Sequence, residues 1–284
     1  MNPQTATPQT MFHQKEAIVK LLSDDDPCTV DLVKQQLVSA GEESVDDLQT
    51  LLGDGNENVR RHVTEILGEI DSRQAAYELS ILCPLLQEEG SIEDASWLLA
   101  RALIPGTDVK RYRRILDHYG EDLGVLLQDA EQAKERISII SGYLALKHGF
   151  RGNSDHYYEA GNSLMPRVID TRRGIPISLT LLYMMVGARA GMKIEGINLP
   201  GHFLAKYDGI LFDPFETGHI VTLADCNEIL ARQNLTFDPS HVEVATPRMM
   251  LRRLLTNLLY IFQNNGDAIQ AERLAEWVNG LDRS

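Results

Sequence analysis

The feature that most constrains this chain is a long apolar run, Ile175–Ala190, in which almost every side chain is hydrophobic or small. Only Arg189, near the end of the run, is charged. A helix that is apolar on nearly every face has no solvent side, so we expect it to lie buried at the centre of its domain. Pro176 suits the first helical position, where its missing N–H costs nothing, and Gly191 suits the end of the helix.

Ser178 falls in the first turn of this predicted helix, and it has two interpretations. Free backbone N–H groups and the positive end of the helix dipole stabilise negative charge there, as an acyl-transfer site requires. In the second interpretation, the hydroxyl satisfies a backbone group at the start of the helix. A free hydroxyl is a poor nucleophile without a general base, so the first interpretation requires a suitable base close to Ser178.

A β-hairpin is predicted after the helix, around Asp208-Gly209. These residues stand between two apolar segments, and both types tolerate the positive φ angles of a two-residue turn. A turn there pairs Ala205 with Phe212 and makes His202 and Asp213 diagonal neighbours on one face, roughly 5.5 to 8 Å apart. A shift of one residue in the register would place the two on opposite faces.

The polar residues of this region each have two interpretations. A carboxylate beside an imidazole selects one tautomer and stabilises the charged ring, so His202 and Asp213 are either an acid/base pair or a structural hydrogen bond. Arg172 and Arg173 either bind an anion or carboxylate beside the helix start or form ion pairs. Asn162 either lines the site or supports a turn.

The overall charge excludes some classes of partner. The chain carries 27 basic and 41 acidic residues, a net charge of −14, whereas nucleic-acid binding requires a concentrated basic surface. No segment approaches the roughly 20 apolar residues of a membrane span, and the polar start of the chain lacks a secretory signal. We therefore predict a cytoplasmic protein that binds neither nucleic acid nor membranes.

The cysteines and histidines give no sign of a metal site. Cys28, Cys83 and Cys226 are far apart and show neither metal-ligand spacing nor a disulfide framework, which is typical of a reducing compartment. Histidines other than His202 show no ligand spacing, and the glycines form no phosphate-binding loop. We therefore predict no metal and no cofactor.

Helical periodicity dominates both flanks of the chain. Between Val45 and Leu85 the apolar residues fall on separate helix faces, which predicts paired short helices of an α-solenoid. The segment from Leu51-Leu52-Gly53-Asp54 to Leu67-Gly68-Glu69-Ile70 resembles one HEAT repeat, which is either a partner-binding surface or a helical cap on the next domain. Residues 247–284 contain two amphipathic segments around a polar turn and resemble one tetratricopeptide unit. A single unit cannot form a groove, so we expect this hairpin to pack on the core.

Five short motifs lie around the predicted helix and hairpin: Phe150-Arg151-Gly152-Asn153, Asn162-Ser163, 172–179, 196–204 and Phe212-Asp213-Pro214-Phe215. Together, over about residues 90–280, they resemble the SirB family of transglutaminase-like proteins. The resemblance implies a transglutaminase/papain-like core, in which the nucleophile begins a buried helix and a His and an Asp lie on successive strands.

The same resemblance implies roles for particular residues. His202 and Asp213 match the His and Asp of a transglutaminase. An active transglutaminase has a Cys at the start of the buried helix, near Pro176 or Ser178, and no Cys is present in this segment. The SirB pattern itself carries Pro and Ser there, so the departure is from transglutaminases and not from that family.

The sequence therefore predicts an α+β, mostly helical fold. Its transglutaminase/papain-like core is a buried helix against a small antiparallel sheet, flanked by α-helical solenoid-like regions. Three regions are predicted: a HEAT-like region over 1–89, a transglutaminase-like core with a helical N-terminal part over 90–246, and a tetratricopeptide-like hairpin over 247–284.

The first functional prediction is a binding or regulatory member of the superfamily without catalytic activity. In this prediction the pocket keeps His202 and Asp213 and is completed by Asn162, Arg173 and Pro176, while the catalytic Cys is absent. The expected partner is a protein or peptide.

The alternative is a serine-dependent hydrolase or amide-acyl transferase. Ser178 would be the nucleophile, His202 the general base, and Asp213 the group that orients the imidazole. A third hypothesis is a scaffold that acts through its helical flanks alone.

Overall fold

The computed structural model of the protein describes residues 8–53, 56–86 and 91–282. The chain separates into two compact units. The first contains residues up to Tyr77 together with Arg101–Thr107, and the second contains Glu78–Ala100 and the residues from Asp108 onward. The division of the sequence into three regions, 1–89, 90–246 and 247–284, stays a prediction.

Helices make up the described part of the first unit. Asp26 begins the second helix, where its carboxylate accepts the N–H groups of Cys28 and Thr29 and so satisfies two donors that the helix itself leaves free. One face of each helix supplies apolar side chains to a shared core, in which Leu48, Val59 and Val63 are fully buried. The helices are α1 (Pro8–Leu22), α2 (Pro27–Ala40), a 3₁₀-helix (Gly41–Ser44), α3 (Val45–Leu51) and the first part of α4 (Glu57–Leu85).

The long helix α4 differs from the sequence expectation of separate short helices in this region. It runs without interruption from Glu57 to Leu85. The residues between Ile70 and Leu79 contain neither glycine nor proline, so nothing in the local sequence ends a helix there. The HEAT-like interpretation, which relied on paired short helices, stays a prediction.

The central helix of the second unit is α9 (Pro176–Arg189), where the apolar run predicted it. Its side chains are buried from Pro176 to Gly187 except at Met184, which confirms that the helix lacks a solvent face. The other helices that follow residue 91 are α5 (Ile92–Leu103), α6 (Val109–Leu126), α7 (Ala133–Ser141), a π-helix (Gly142–Lys147), a 3₁₀-helix (Ala160–Ser163), α8 (Met165–Thr171), α10 (Leu223–Ala231), a 3₁₀-helix (Pro239–Val242), α11 (Pro247–Asn264) and α12 (Ala268–Asp282).

Two short parallel strands precede α9. They are β1 (Arg151–Gly152) and β2 (Arg173–Gly174), paired Arg151 with Arg173 and Gly152 with Gly174. A Cβ atom on Gly152 would lie 2.5 Å from the ring of Phe215, and one on Gly174 would lie 2.7 Å from Ser178 Oγ. A side chain at either position would therefore displace the Phe215 ring or the Ser178 hydroxyl, and glycine avoids this displacement.

An antiparallel sheet of four strands follows α9, with the strands in sequence order: β3 (Glu195–Ile197), β4 (Leu204–Tyr207), β5 (Ile210–Asp213) and β6 (His219–Val221). β4 and β5 form the predicted hairpin, with Ala205 opposite Phe212. Asp208 and Gly209 both have positive φ, 48° and 79°, as the two-residue turn requires. The predicted register is therefore confirmed.

The two faces of this sheet contact different helices. The ring of Phe212 lies 6.0 Å from that of Tyr183 on α9, so this face packs against the central helix. Leu204 and Leu211 point to the other face and form a buried cluster with side chains of α10. The observed architecture confirms the α+β, mostly helical fold class.

The helical hairpin of α11 and α12 belongs to the second unit. Thr246 caps α11 by accepting the N–H of Met249, and Arg252 pairs with Asp282 at 2.7 Å across the two helices. The tetratricopeptide-like interpretation of this hairpin stays a prediction. Among the described residues, none of the helices combines the length and the apolar character needed to cross a bilayer.

We predict that Gly120→Ala destabilises the protein by about 1–3 kcal/mol, because the new Cβ would lie 2.3 Å from Arg189 Cβ, where α6 packs on α9. Gly124→Ala on the same helix is the control. Its Cβ would meet no atom within 4 Å, so we expect no loss and a gain of about 0.5–1 kcal/mol from helix propensity. Urea unfolding of both variants measures the difference, and equal free energies of unfolding would contradict the proposed close approach.

We predict that His148 makes stability depend on pH. Its ring lies 4.5 Å from Tyr119 and 4.6 Å from Tyr143, and burial lowers its pKa, with further lowering by Lys147 and Arg172. The unfolded state therefore binds the proton more readily, so stability is lost as the pH falls below the unfolded pKa of about 6.5.

Urea unfolding between pH 7.5 and 5.5 tests this prediction. His148→Phe keeps a ring in place and should flatten the pH dependence in this range. The control is His156→Asn, because the His156 side chain is 70% exposed and the variant should keep the wild-type slope. An unchanged slope in His148→Phe would assign the effect to other groups.

Candidate functional site

His202 and Asp213 lie together, at the positions that the hairpin register predicts. His202 follows the turn at Pro200-Gly201 and donates its backbone N–H to the carbonyl of Leu199, while Asp213 is the last residue of β5. His202 Nε2 and Asp213 Oδ2 are 2.7 Å apart. The two side chains are only 18% and 8% exposed, so water competes weakly for this hydrogen bond.

The carboxylate of Asp213 is held at both oxygens. Asp213 Oδ1 accepts the backbone N–H of Phe215 at 2.9 Å, and the Phe215 ring stands edge-on to the His202 ring, with centroids 6.2 Å apart. Because Asp213 contacts Nε2, the Nδ1 atom of His202 is left for another partner, and the described residues offer it no hydrogen bond. Nδ1 is therefore the ring nitrogen that stays available for a hydrogen bond to another group.

Ser178 lies in the first turn of α9 and is fully buried. Its Oγ atom is 2.6 Å from the carbonyl oxygen of Asn162 and 3.1 Å from that of Ile175, and it accepts the Ile175 N–H at 3.0 Å. The single hydroxyl proton is therefore donated to a backbone carbonyl. A serine nucleophile requires a base that accepts this proton, and the hydrogen bonds of Ser178 to the described residues do not include His202.

Asn162 is buried and supports a turn. Its amide nitrogen donates to the carbonyls of His156 and Tyr157 at 2.7 and 3.2 Å, and its Oδ1 accepts from Asn153 Nδ2 at 2.9 Å. The side chain thus has partners for both its donor and its acceptor, and it holds the loop that precedes it. The geometry favours the turn-supporting interpretation.

The arginines before α9 contact neutral groups. Arg173 Nη1 donates to the carbonyls of Gly149 and Arg172 at 3.3 and 3.0 Å. Arg172, with φ of 62°, places its guanidinium 4.6 Å above the ring of Phe150, a cation–π contact. Neither arginine forms an ion pair with a described residue. Pro176 is buried as the first residue of α9.

Sequence reasoning missed an aromatic surface beside the His–Asp pair. Tyr157 contacts Phe215 with ring centroids 6.2 Å apart, Tyr158 contacts Tyr157 at 5.3 Å, and Tyr260 contacts Tyr158 at 5.5 Å. We call Tyr157, Tyr158 and Tyr260 the tyrosine surface. Two adjacent tyrosines in a turn-rich loop were the available sequence signal. Tyr260 lies on α11, and only the tertiary structure brings it there.

The cysteines lie away from the start of α9 in the sequence and are free thiols. Cys28 is exposed on α2, whereas Cys83 and Cys226 are buried. Burial raises the pKa of the Cys226 thiol, so this residue is a poor source of thiolate. In the described parts of the chain, His, Cys, Asp and Glu side chains form no group of three that could hold a metal ion.

Comparisons with known proteins agree with this architecture. A family model described as the transglutaminase-like superfamily matches residues 110–256, a segment that contains α9, the hairpin, His202 and Asp213. A UPF0162 protein of Xylella fastidiosa is 30% identical over 214 residues, which cover 69% of this chain and 76% of that protein. A UPF0162 protein of Pseudomonas aeruginosa is 28% identical over 214 residues, covering 74% and 77%.

A more distant likeness joins the chain to a larger protein. F-box only protein 21 of Homo sapiens is 33% identical over 129 residues, which cover 41% of this chain and 20% of that protein. No solved structure matched the chain. The family match spans the buried helix, the sheet and the His–Asp pair, and the chain belongs to the transglutaminase-like superfamily.

Proposed function

We propose that this chain is a SirB-type member of the superfamily that lacks the catalytic Cys and binds a protein or peptide without reacting with it. The observation that carries this proposal is the environment of Ser178. The hydroxyl is fully buried and donates to the carbonyl of Asn162 at 2.6 Å. A buried hydroxyl that is bonded to backbone groups is neither reachable by a substrate nor activated by a base.

The chemistry of acyl transfer supports the same conclusion. Attack on an amide requires a nucleophile, a base within hydrogen-bond reach of it, and a position for the reacting carbonyl. Here the base and its orienting carboxylate are present in His202 and Asp213, but the start of α9 supplies no thiol. With the nucleophile missing, the pair retains the capacity to hydrogen-bond a ligand through Nδ1.

We propose that the retained pocket serves binding or regulation. His202 is only partly exposed, and the tyrosine surface continues outward from it through Phe215. Aromatic side chains beside a few oriented polar groups are typical of ligand-binding sites, and exposed tyrosines suit contacts with a protein or peptide. We further propose that the protein acts in the cytoplasm, where its free cysteines would stay reduced.

We predict that a fluorophosphonate probe does not label the wild-type protein, because Ser178 Oγ is buried and not activated. Labelling is read by mass spectrometry, with trypsin as the positive control and Ser178→Ala as the matched variant. Labelling of the wild type that disappears in Ser178→Ala would overturn the proposal and establish the serine-dependent alternative.

We also predict that Ser178→Ala destabilises the protein by about 1–2 kcal/mol, because it removes the hydrogen bonds to Asn162 and Ile175. Thr180→Val is the matched control on the same helix. Thr180 is equally buried, but its hydroxyl has no hydrogen-bond partner among the described residues, so its removal should cost less or stabilise. Equal losses in urea unfolding would contradict a structural role for the Ser178 hydroxyl.

A further inference from the structure

The tyrosine surface is a continuous exposed patch that begins at the His–Asp pair. The ring contacts run from His202 to Phe215, then to Tyr157, Tyr158 and Tyr260, with centroid distances between 5.3 and 6.2 Å. The three tyrosines are 36%, 64% and 54% exposed. Tyrosine rings that are exposed together are suited to cover an apolar side chain of a partner, because they bury large area at a small cost in side-chain entropy.

The loop that carries two of these tyrosines is held in one conformation. Asn162 donates to the carbonyls of His156 and Tyr157, and Asn153 donates to Asn162. Asn162 is itself fixed, since its own carbonyl accepts the Ser178 hydroxyl. The rings are therefore preorganised, which reduces the entropy lost when a partner binds.

Arg253 adds a positive charge to this patch. It lies seven residues before Tyr260 on α11, so the two share a helix face about 10 Å apart along the axis. The side chain is half-buried, yet it forms no ion pair with a described carboxylate, in contrast to its neighbour Arg252, which pairs with Asp282 at 2.7 Å.

The electrostatics of Arg253 agree with its position. Burial lowers the pKa of its guanidinium, and the nearby Tyr157 phenol partly offsets that effect. A partly desolvated cation without a counterion is costly, and a ligand carboxylate that reaches it would gain a charge-assisted hydrogen bond in a shielded setting. A single cation of this kind suits one carboxylate better than a polyphosphate chain, which requires several basic groups.

We propose that the tyrosine surface and Arg253 form a recognition site for a peptide in which an aromatic or large aliphatic residue stands next to an acidic residue. The apolar side chain lies on Tyr158 and Tyr260, and the side-chain carboxylate pairs with Arg253. This inference rests on the proposed binding function, and it names the class of peptide that the site takes.

Amide-capped peptides test the proposal, because in them only the side chain supplies a carboxylate. The probes are acetyl-Ala-Phe-Glu-Ala-amide, its Gln counterpart, and acetyl-Ala-Ala-Glu-Ala-amide, each titrated into the ¹⁵N-labelled full chain. We expect the Phe-Glu peptide to bind about tenfold more tightly than either of the other two. Equal affinity of the Phe-Glu and Phe-Gln peptides would overturn the proposal.

Variants assign the two contacts. Arg253→Gln should remove the preference for Glu over Gln, whereas Arg252→Gln, the adjacent control, should keep it. Tyr260→Ala should weaken the two Phe peptides and leave the Ala-Glu peptide unchanged. A preference for Glu that persists in Arg253→Gln would overturn the assignment of this residue. If acetyl-Ala-Phe-Gln-Ala with a free C-terminus bound more tightly than acetyl-Ala-Phe-Glu-Ala-amide, the choice of a side-chain carboxylate would be overturned.

The two proposals fail separately in these experiments. Fluorophosphonate labelling at Ser178 would overturn the proposal that the protein is not catalytic. A preference for the Phe-Glu peptide that is lost in Arg253→Gln would then describe the substrate specificity of an enzyme. If the probe does not label the protein and the three peptides bind with equal affinity, the non-catalytic function is retained and the proposed recognition site is overturned.

Discussion

The hydrogen bonds of the buried Ser178 hydroxyl join the start of the central helix to the loop before it. Ser178 Oγ donates to the carbonyl of Asn162 and accepts the N–H of Ile175, so it fixes the start of α9 against the preceding 3₁₀-helix. The side chain of Asn162 then holds the carbonyls of His156 and Tyr157. The glycine at position 174 permits this contact, since a Cβ there would lie 2.7 Å from the hydroxyl.

This junction, formed by the hydrogen bonds of Ser178 and Asn162, has opposite effects on chemistry and on recognition. It directs the only proton of Ser178 to a backbone carbonyl, so the hydroxyl stabilises the start of α9. The same junction orders the loop that presents the exposed tyrosines beside His202 and Asp213. A site of acyl transfer is thereby converted, in our proposal, into a binding site in which the imidazole keeps its orientation without a nucleophile to activate.

Local patterns made much of the second unit predictable. The apolar run of α9 required burial, and Asp208-Gly209 specified a two-residue turn whose register placed His202 beside Asp213. Such features depend on residues near one another in sequence. The length of α4 was not predicted. Some of its turns carry few apolar residues, so a helix that is identified only by its apolar face is predicted to end at these turns. The side chains of Asn162 and Arg173 bond backbone carbonyls, among them those of His156, Tyr157 and Gly149, and no sequence pattern identifies such partners.

The sequence by itself determined which helix is buried, where the hairpin turns, which His and Asp meet, and that no cysteine begins α9. These follow from periodicity, turn chemistry and residue identity, which act over a few residues. Only the tertiary structure showed which backbone groups the Ser178 hydroxyl contacts, and it alone brought Tyr260 and Arg253 of α11 to the tyrosines of the loop. Contacts between segments about a hundred residues apart depend on how the elements pack, and packing leaves no periodic signal in the chain.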